Sequence, residues 1–336
     1  MECQDIMTNQ VNSSANMHGD DAYFDRLFSY FQSQFLENVS EMNPLQRSVM
    51  LLKTDHNMYV MKGYQSNRRL KVQEAFTATL RKEGFFNTYI YLDSLTKEPL
   101  LFEGTYFGCM EYISPNKSAF TFYGQKDRRD GLNLLEQFHQ ATASFEARYR
   151  RLLPTADLIG KWKERLMIFS NNIPFLRYFM NEPFISEMVS WANWSLKGME
   201  KNIRYFEEEP FVILHGDVAH HNFLRDKKGK LHLIDFDLIS IGPAALDYLQ
   251  YANRILPYID WSLNRLSRYK QFQKYLRDKA FLYALVYPAD VFREWNRLIR
   301  EQSYTDQKKL QQVMDLSVGE FYSRKKFFHQ IKSVLD

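Results

Sequence analysis

This chain is short of cysteine, of glycine for its length and of long apolar runs, and each shortage excludes a class of protein. Two cysteines in 336 residues, Cys3 and Cys109, cannot build a disulfide framework, so a reducing compartment is expected. No apolar run approaches the roughly 20 residues that cross a bilayer. The polar N-terminus, with Asp5, Asn9, Asn12, Asp20 and Asp21, lacks a basic region followed by an apolar core. Soluble, cytoplasmic synthesis is therefore expected; a later destination reached through protein–protein contacts would leave no such mark. Blocks of single-sign charge are missing too. The net charge of +4 is small for this length and points to neither nucleic acid nor membrane. Among only 13 glycines there is no Gly-x-Ser-x-Gly elbow, which leaves a hydrolase unsupported.

What the chain does have is apolar and aromatic bulk, including 27 Phe and 21 Tyr, enough for a large core divided between two lobes. One stretch organises the rest: FVILHGDVAHHNFLRDKKGKLHLIDFDLISIGPAALD, residues 211–247. Phe211–Leu214 has the length of a short buried strand, and His215-Gly216-Asp217 follows it directly. Asn222 lies five residues after Asp217. The polar turn 225–230 then joins two apolar arms as a hairpin loop would, and the second arm ends on Asp235-Phe236-Asp237. Oxygen-bearing side chains thus stand where apolar strands give way to loop, which holds their backbones rigid.

That spacing suits phosphoryl transfer. A carboxylate orients or deprotonates the acceptor hydroxyl, and hard oxygen ligands hold the magnesium that bridges the phosphates. Protein kinases use an Asp, an Asn five residues later and the Asp of a following Asp-Phe-Gly, the order repeated by Asp217, Asn222 and Asp235-Phe236. A zinc site built on His215, Asp217, His220 and His221 is disfavoured, because adjacent histidines in an extended loop point apart and no cysteine accompanies them.

His215 through Asn222, Leu233 to Asp237, Gly242-Pro243 and Asp247-Tyr248-Leu249 resemble the aminoglycoside phosphotransferase and choline kinase-like branch of the kinase fold. Protein kinases carry Arg where Gly216 stands, which favours the small-molecule branch. Within it the chain looks most like the CotS-type spore-coat kinase-like proteins, on the segment 134–139 and the late Leu285-Val286-Tyr287-Pro288. The resemblance implies an α+β, bilobal protein kinase-like fold: a tail over 1–22, a small antiparallel, β-rich nucleotide lobe over 23–113 and a larger, mainly helical lobe over 114–336. It implies ATP and Mg2+ as cofactors and a hydroxylated small molecule as acceptor. Asp217 is then the base, with His215 orienting its loop. Asn222 and Asp235 are the metal ligands, with Asp237 an outer one. Lys62 takes the place of the phosphate-pairing lysine, and backbone groups of Met110, Glu111 and Tyr112 meet the adenine. The alternative is a kinase-shaped structural component of a spore coat, with weak or lost catalysis and coat proteins as partners.

The remaining elements are read by period. Phe24, Leu27, Phe28, Phe31 and Phe35 predict a helix over 23–35. Residues 47–63 predict a hairpin turning at 54–57 and ending on Lys62, for which a surface lysine on an edge strand is the alternative reading. A helix over 67–83 has Val72, Phe76, Thr79 and Leu80 on one face; whether Glu74 or Glu83 partners Lys62 is left open. The turn Lys53–Asn57, the candidate phosphate loop, contains no glycine, which argues against catalysis. Strands are expected at 89–92, 100–102 and 107–113, the last being either the hinge or an ordinary interior strand. A long helix over 130–151 should point Leu134, Leu135, Phe138, Ala141 and Phe145 inward, with His139 a satisfied or half-exposed helix histidine. Helices follow over 157–206, 244–256 and from 258 to the C-terminus, where Arg324-Lys325-Lys326 reads as a solvated helix end.

Overall fold

The phenylalanine stripe near the N-terminus forms a helix, α1 (Asp20–Gln34), with Leu27 and Phe31 fully buried. The computed structural model describes residues 20–46, 48–92, 95–96 and 99–336, so most of the expected tail lies outside the described residues. The chain divides into two units. One runs to Phe120 and takes in Phe223–Asp237; the other comprises Thr121–Asn222 and Leu238–Asp336.

The first unit is built on an antiparallel sheet of order β1-β2-β3-β5-β4: β1 (Val39–Gln46), β2 (Val49–Thr54), β3 (Met58–Tyr64), β4 (Leu100–Phe102) and β5 (Thr105–Glu111). Period-two alternation buries Met50 and Leu52 of β2, and Tyr59 and Met61 of β3, against Leu27, Phe31 and Phe35. The hairpin β2–β3 forms as expected. Edge strand β1 was not expected: its burial is sparse, Pro44 interrupts its ladder and its register shifts twice. Glu103 and Gly104 both adopt positive φ (44° and 77°), which gives the tight β4–β5 turn the right-handed twist of its strands. Residues 89–92 correct the expected strand: they lie extended beside β5, through Leu92 N–H to the Cys109 carbonyl (2.8 Å) and Glu111 N–H to the Ile90 carbonyl (2.9 Å), with one bridge at Tyr91.

Helix α2 (Asn67–Lys82) starts where the Ser66 hydroxyl accepts from Arg69 N–H. Its inward face is Leu70, Gln73, Phe76, Thr77 and Leu80, turned from the expected Val72/Thr79 side because Gln73 is buried for a bond of its own. Gln73 Nε2 donates to the Phe236 carbonyl at 2.8 Å. The predicted second hairpin is β7 (Phe223–Arg225) with β8 (Leu231–Leu233), fastened to this unit by Asn87 Nδ2 on the Leu231 carbonyl (2.9 Å) and Asn116 N–H on the Arg225 carbonyl (2.8 Å).

The second unit is mainly helical. Its longer helices are α3 (Gln125–Ala143), α4 (Leu158–Asn171), α5 (Glu182–Glu200), α6 (Ala245–Ile255), α7 (Ala289–Arg300) and α8 (Phe321–Leu335). Helix α3 begins earlier and ends sooner than expected. Pro174 and Pro183 stand in the first turns of Ile173–Leu176 and α5, where a missing N–H costs no hydrogen bond. Strand β6 (Phe211–Leu214) pairs antiparallel with β9 (Ser240–Pro243), a strand four residues long that sequence patterning missed. The expected helical run after 258 is broken: Ser262, Asp278 and Asp306 side chains each accept a backbone N–H and start new helices. Arg324 is a further correction. It is buried inside α8, with Nη1 and Nη2 on Asp290 at 3.0 and 2.6 Å and its guanidinium 4.3 Å from the Trp261 ring centre.

Candidate active site

In the second unit, strand β6 delivers the loop His215–Asn222, and helix α6 holds it. Asp247, Gln250 and Arg254 fall at i, i+3 and i+7, on one face of α6. The Asp247 carboxylate accepts from the backbone N–H groups of His215 (2.7 Å) and Gly216 (3.0 Å) and meets His139 Nε2 at 2.9 Å. Burial works to raise the Asp247 pKa, but His139, His215 and the backbone donor outweigh it and hold the carboxyl below its ordinary range. The Gln250 side chain accepts from Val218 N–H (2.5 Å) and donates to the Gly216 carbonyl (2.9 Å). Arg254 Nη2 contacts Asp217 Oδ1 at 2.9 Å. Sequence reasoning missed Gln250 and Arg254; the signal was polar residues repeating on one face of a helix whose other positions are largely buried.

Within the loop, Asp217 N–H donates to His215 Nδ1 at 3.3 Å, with His215 fully buried. Asn222 Nδ2 donates to the Asp217 carbonyl (2.7 Å) and leaves its amide oxygen as the acceptor end. Gly216 sits at φ 79°, and a Cβ there would lie 2.2 Å from the Leu238 carbonyl oxygen. Gly216→Ala is therefore expected to destabilise the protein by about 2 kcal/mol or more. Urea unfolding checks this, and a loss below the error of the titration would contradict it.

In the first unit, Lys62 of β3 is buried, and its Nζ lies 2.8 Å from Asp235 Oδ1 and 2.9 Å from Asp237 Oδ1. Burial pulls the lysine pKa down, but Tyr64, Asp235 and Asp237 together raise it above its ordinary value. The lysine's partners are thus two carboxylates some 170 residues away rather than a helix glutamate. Glu74 pairs with Lys71 instead, at 2.6 Å. Asp235 adopts φ 67°, a left-handed conformation that costs a non-glycine residue on the order of 1–3 kcal/mol. Its neighbour Phe236 offsets that strain: it is fully buried, 5.2 Å from the Phe76 ring and 5.7 Å from Tyr89.

The β2–β3 turn carries the candidate phosphate loop 53–57. In the β2–β3 turn, Thr54 N–H donates to Asn57 O, Asp55 N–H to Asn38 O and Asn57 N–H to Thr54 Oγ1. Those three donors are spent within the first unit. Of the candidate adenine-facing residues, Met110 is buried and Glu111 has given its N–H to Ile90, while Tyr112 lies past the last ladder pair.

For a metal, the candidate donors are Asp235 and Asp237 in one unit and Asn222, adjacent in sequence to its boundary, in the other. Asp237 Oδ1 is buried and, at its angle to Lys62, makes no hydrogen bond. Among the described residues no three His, Cys, Asp or Glu gather as a preformed metal cluster. The Asp235 and Asp237 carboxylates fit magnesium, which completes a sparse oxygen set with water and phosphate.

An antiparallel sheet followed by a mainly helical unit, with these loops at strand ends, is the protein kinase-like fold. The chain belongs to the phosphotransferase enzyme family, whose profile matches residues 100–281, more than half of its length. Among solved structures, it is similar to an aminoglycoside phosphotransferase from Alicyclobacillus acidocaldarius (17% identity, 88% of this chain and 92% of that one, TM-score 0.66). It is similar also to an AMP-bound spectinomycin phosphotransferase (16%, 90% and 98%, TM-score 0.60) and to the choline kinase LicA of Streptococcus pneumoniae (14%, 93% and 99%, TM-score 0.51). No curated protein is matched as a relative.

Proposed function

We propose that the protein is an ATP- and Mg2+-dependent phosphotransferase acting on a hydroxyl group of a small molecule. The observation that carries this reading is the buried Lys62 holding both Asp235 and Asp237, an arrangement that a structural protein has no chemical need to build. Lys62 binds nucleotide phosphate, backbone groups of Met110 to Tyr112 meet the adenine, and Asp235, Asp237 and Asn222 hold the metal. Magnesium, when bound, would offset the charge that develops on the phosphates. Asp217 orients the acceptor hydroxyl and takes its proton, while His215, Asp247 and Gln250 keep its loop in place. Calorimetric titration of ATP with and without Mg2+, on the parent protein and Asp235→Ala, tests the reading. Magnesium-dependent binding, weakened at least about tenfold in the variant, is expected; equal binding by both proteins would remove Asp235 from the site.

A second reading, a kinase-shaped component of the spore coat with weak or lost turnover, is favoured by a separate observation. Each carboxylate needed for chemistry already has a cation on it, Lys62 on Asp235 and Asp237, Arg254 on Asp217, and the candidate phosphate turn, 53–57, contains no glycine. The coat association itself rests on the likeness of residues 134–139 and 285–288 to CotS-type proteins. Absence of ATP binding in the parent protein would favour it.

A further inference from the structure

The stretch that carries Asp235 and Asp237 is gripped from helix α2. Arg69, Gln73 and Phe76 fall at i, i+4 and i+7, on one face of that helix. Each addresses a different part of residues 236–237. Arg69 Nη2 donates to the Asp237 carbonyl at 3.3 Å, Gln73 Nε2 donates to the Phe236 carbonyl at 2.8 Å, and the Phe76 ring meets the Phe236 ring edge-on at 5.2 Å. The two polar grips are not equal. Arg69 is exposed, so its bond competes with water, whereas Gln73 is buried and its bond is closed off from solvent.

For packing alone, glutamine is a poor occupant of that position. Its Oε1 is buried and finds no hydrogen-bond partner among the described residues, an unmet acceptor that leucine or methionine would not bring to the apolar face of Leu70, Phe76 and Leu80. What the amide does, and no apolar side chain could do, is fix the Phe236 carbonyl. That carbonyl belongs to the peptide joining Phe236 to Asp237, directly after the left-handed Asp235 (φ 67°), so anchoring it sets the path of the chain between the two carboxylates. An ionised helix glutamate could not replace it, because a carboxylate donates nothing.

We propose that Gln73 is a positioning residue for the metal ligands: through the Phe236 carbonyl it keeps Asp235 and Asp237 turned to one cation, which in this structure is the Lys62 ammonium, 2.8 and 2.9 Å away. This rests on the phosphotransferase reading, in which the two carboxylates hold Mg2+. Without the bond, a buried carbonyl loses its donor and the strained φ of Asp235 is free to relax, so the carboxylates no longer converge. Lys62 stays on its own strand and keeps its reach to phosphate.

Calorimetric titration of ATP with and without Mg2+ on the full chain tests it, with Gln73→Met, Gln73→Leu and Thr77→Val beside the parent protein. Methionine keeps the length of the side chain and leucine its bulk, and both lose the donor. Each should lower the affinity for ATP with Mg2+ at least about tenfold and leave metal-free ATP affinity within about twofold of the parent. Thr77 is the control. It is buried on the same helix, but its hydroxyl bonds the helix's own Gln73 and Glu74 carbonyls at 3.0 and 3.1 Å, so Thr77→Val should lower stability to urea without changing the effect of Mg2+. A parent-like response to Mg2+ in the Gln73 variants overturns the proposal. So does an equal loss with and without Mg2+, or a loss of the same size in Thr77→Val, since either makes Gln73 a support of the whole helix. Should one Gln73 variant fail to fold, the other carries the test. Absence of Mg2+-dependent binding in the parent would sink the kinase reading and this proposal together; Mg2+-dependent binding that survives in the Gln73 variants would sink this proposal alone.

Discussion

Asp217→Asn is expected to lower the rate of phosphoryl transfer by about 10²–10⁴-fold while leaving nucleotide affinity nearly intact. The amide keeps the shape of the carboxylate but cannot accept the hydroxyl proton, and it loses the charge that faces Arg254 at 2.9 Å. Its fold should survive, because the loop is also held through backbone groups of residues 215, 216 and 218 by Asp247 and Gln250, and an amide oxygen at 217 can still accept from Arg254. A single-turnover rate beside a calorimetric dissociation constant separates the two effects. Unchanged turnover would take Asp217 out of the chemistry. A parallel loss of nucleotide affinity would instead make it a binding residue.

The largest effect on stability is expected at Asp247. It is buried, bonds two backbone donors and pairs with His139, so Asp247→Ala strips three groups of their partner at once. Breaking one side of a buried charged pair costs about 3–5 kcal/mol. Chemical unfolding should show a loss of that size, and one below about 1 kcal/mol would mean that water replaces the carboxylate. The contribution depends on pH in a definite direction. The folded pKa of Asp247 lies below the ordinary 3.8, despite burial, because His139 and His215 favour the ionised form. The stabilisation is therefore complete above pH 3.8 and is lost as pH falls through the folded value. Asp290, lowered by Arg324 against its own burial, behaves the same way. The gap in stability between the parent protein and Asp247→Asn should accordingly narrow below pH 3.8.

Much of the candidate site was legible along the chain because it is built from local transitions. Phe211–Leu214 is apolar and His215-Gly216-Asp217 is not, so the strand had to end there; the hairpin 223–233 announced itself by its polar turn. Other features were hidden for a physical reason in each case. Strand β1 gains little from burial, so its sequence carries no alternation to detect. The inward face of α2 was misassigned because Gln73 is polar, and its burial follows from a bond to residue 236. Arg324 looked solvated beside Lys325 and Lys326, but the acids that draw it inside, Asp290 and Glu320, lie 34 and 4 residues away on other turns of the structure.

By itself, then, the sequence determined the strands and loops that carry the candidate site and the residue types set at their ends, since side-chain period and turn chemistry act within a few residues. Tertiary structure alone decided the electrostatics: that Lys62 pairs with Asp235 and Asp237, and that Arg254 meets Asp217. Charge pairing depends on distance through space between groups that can be more than a hundred residues apart, and no local pattern encodes it.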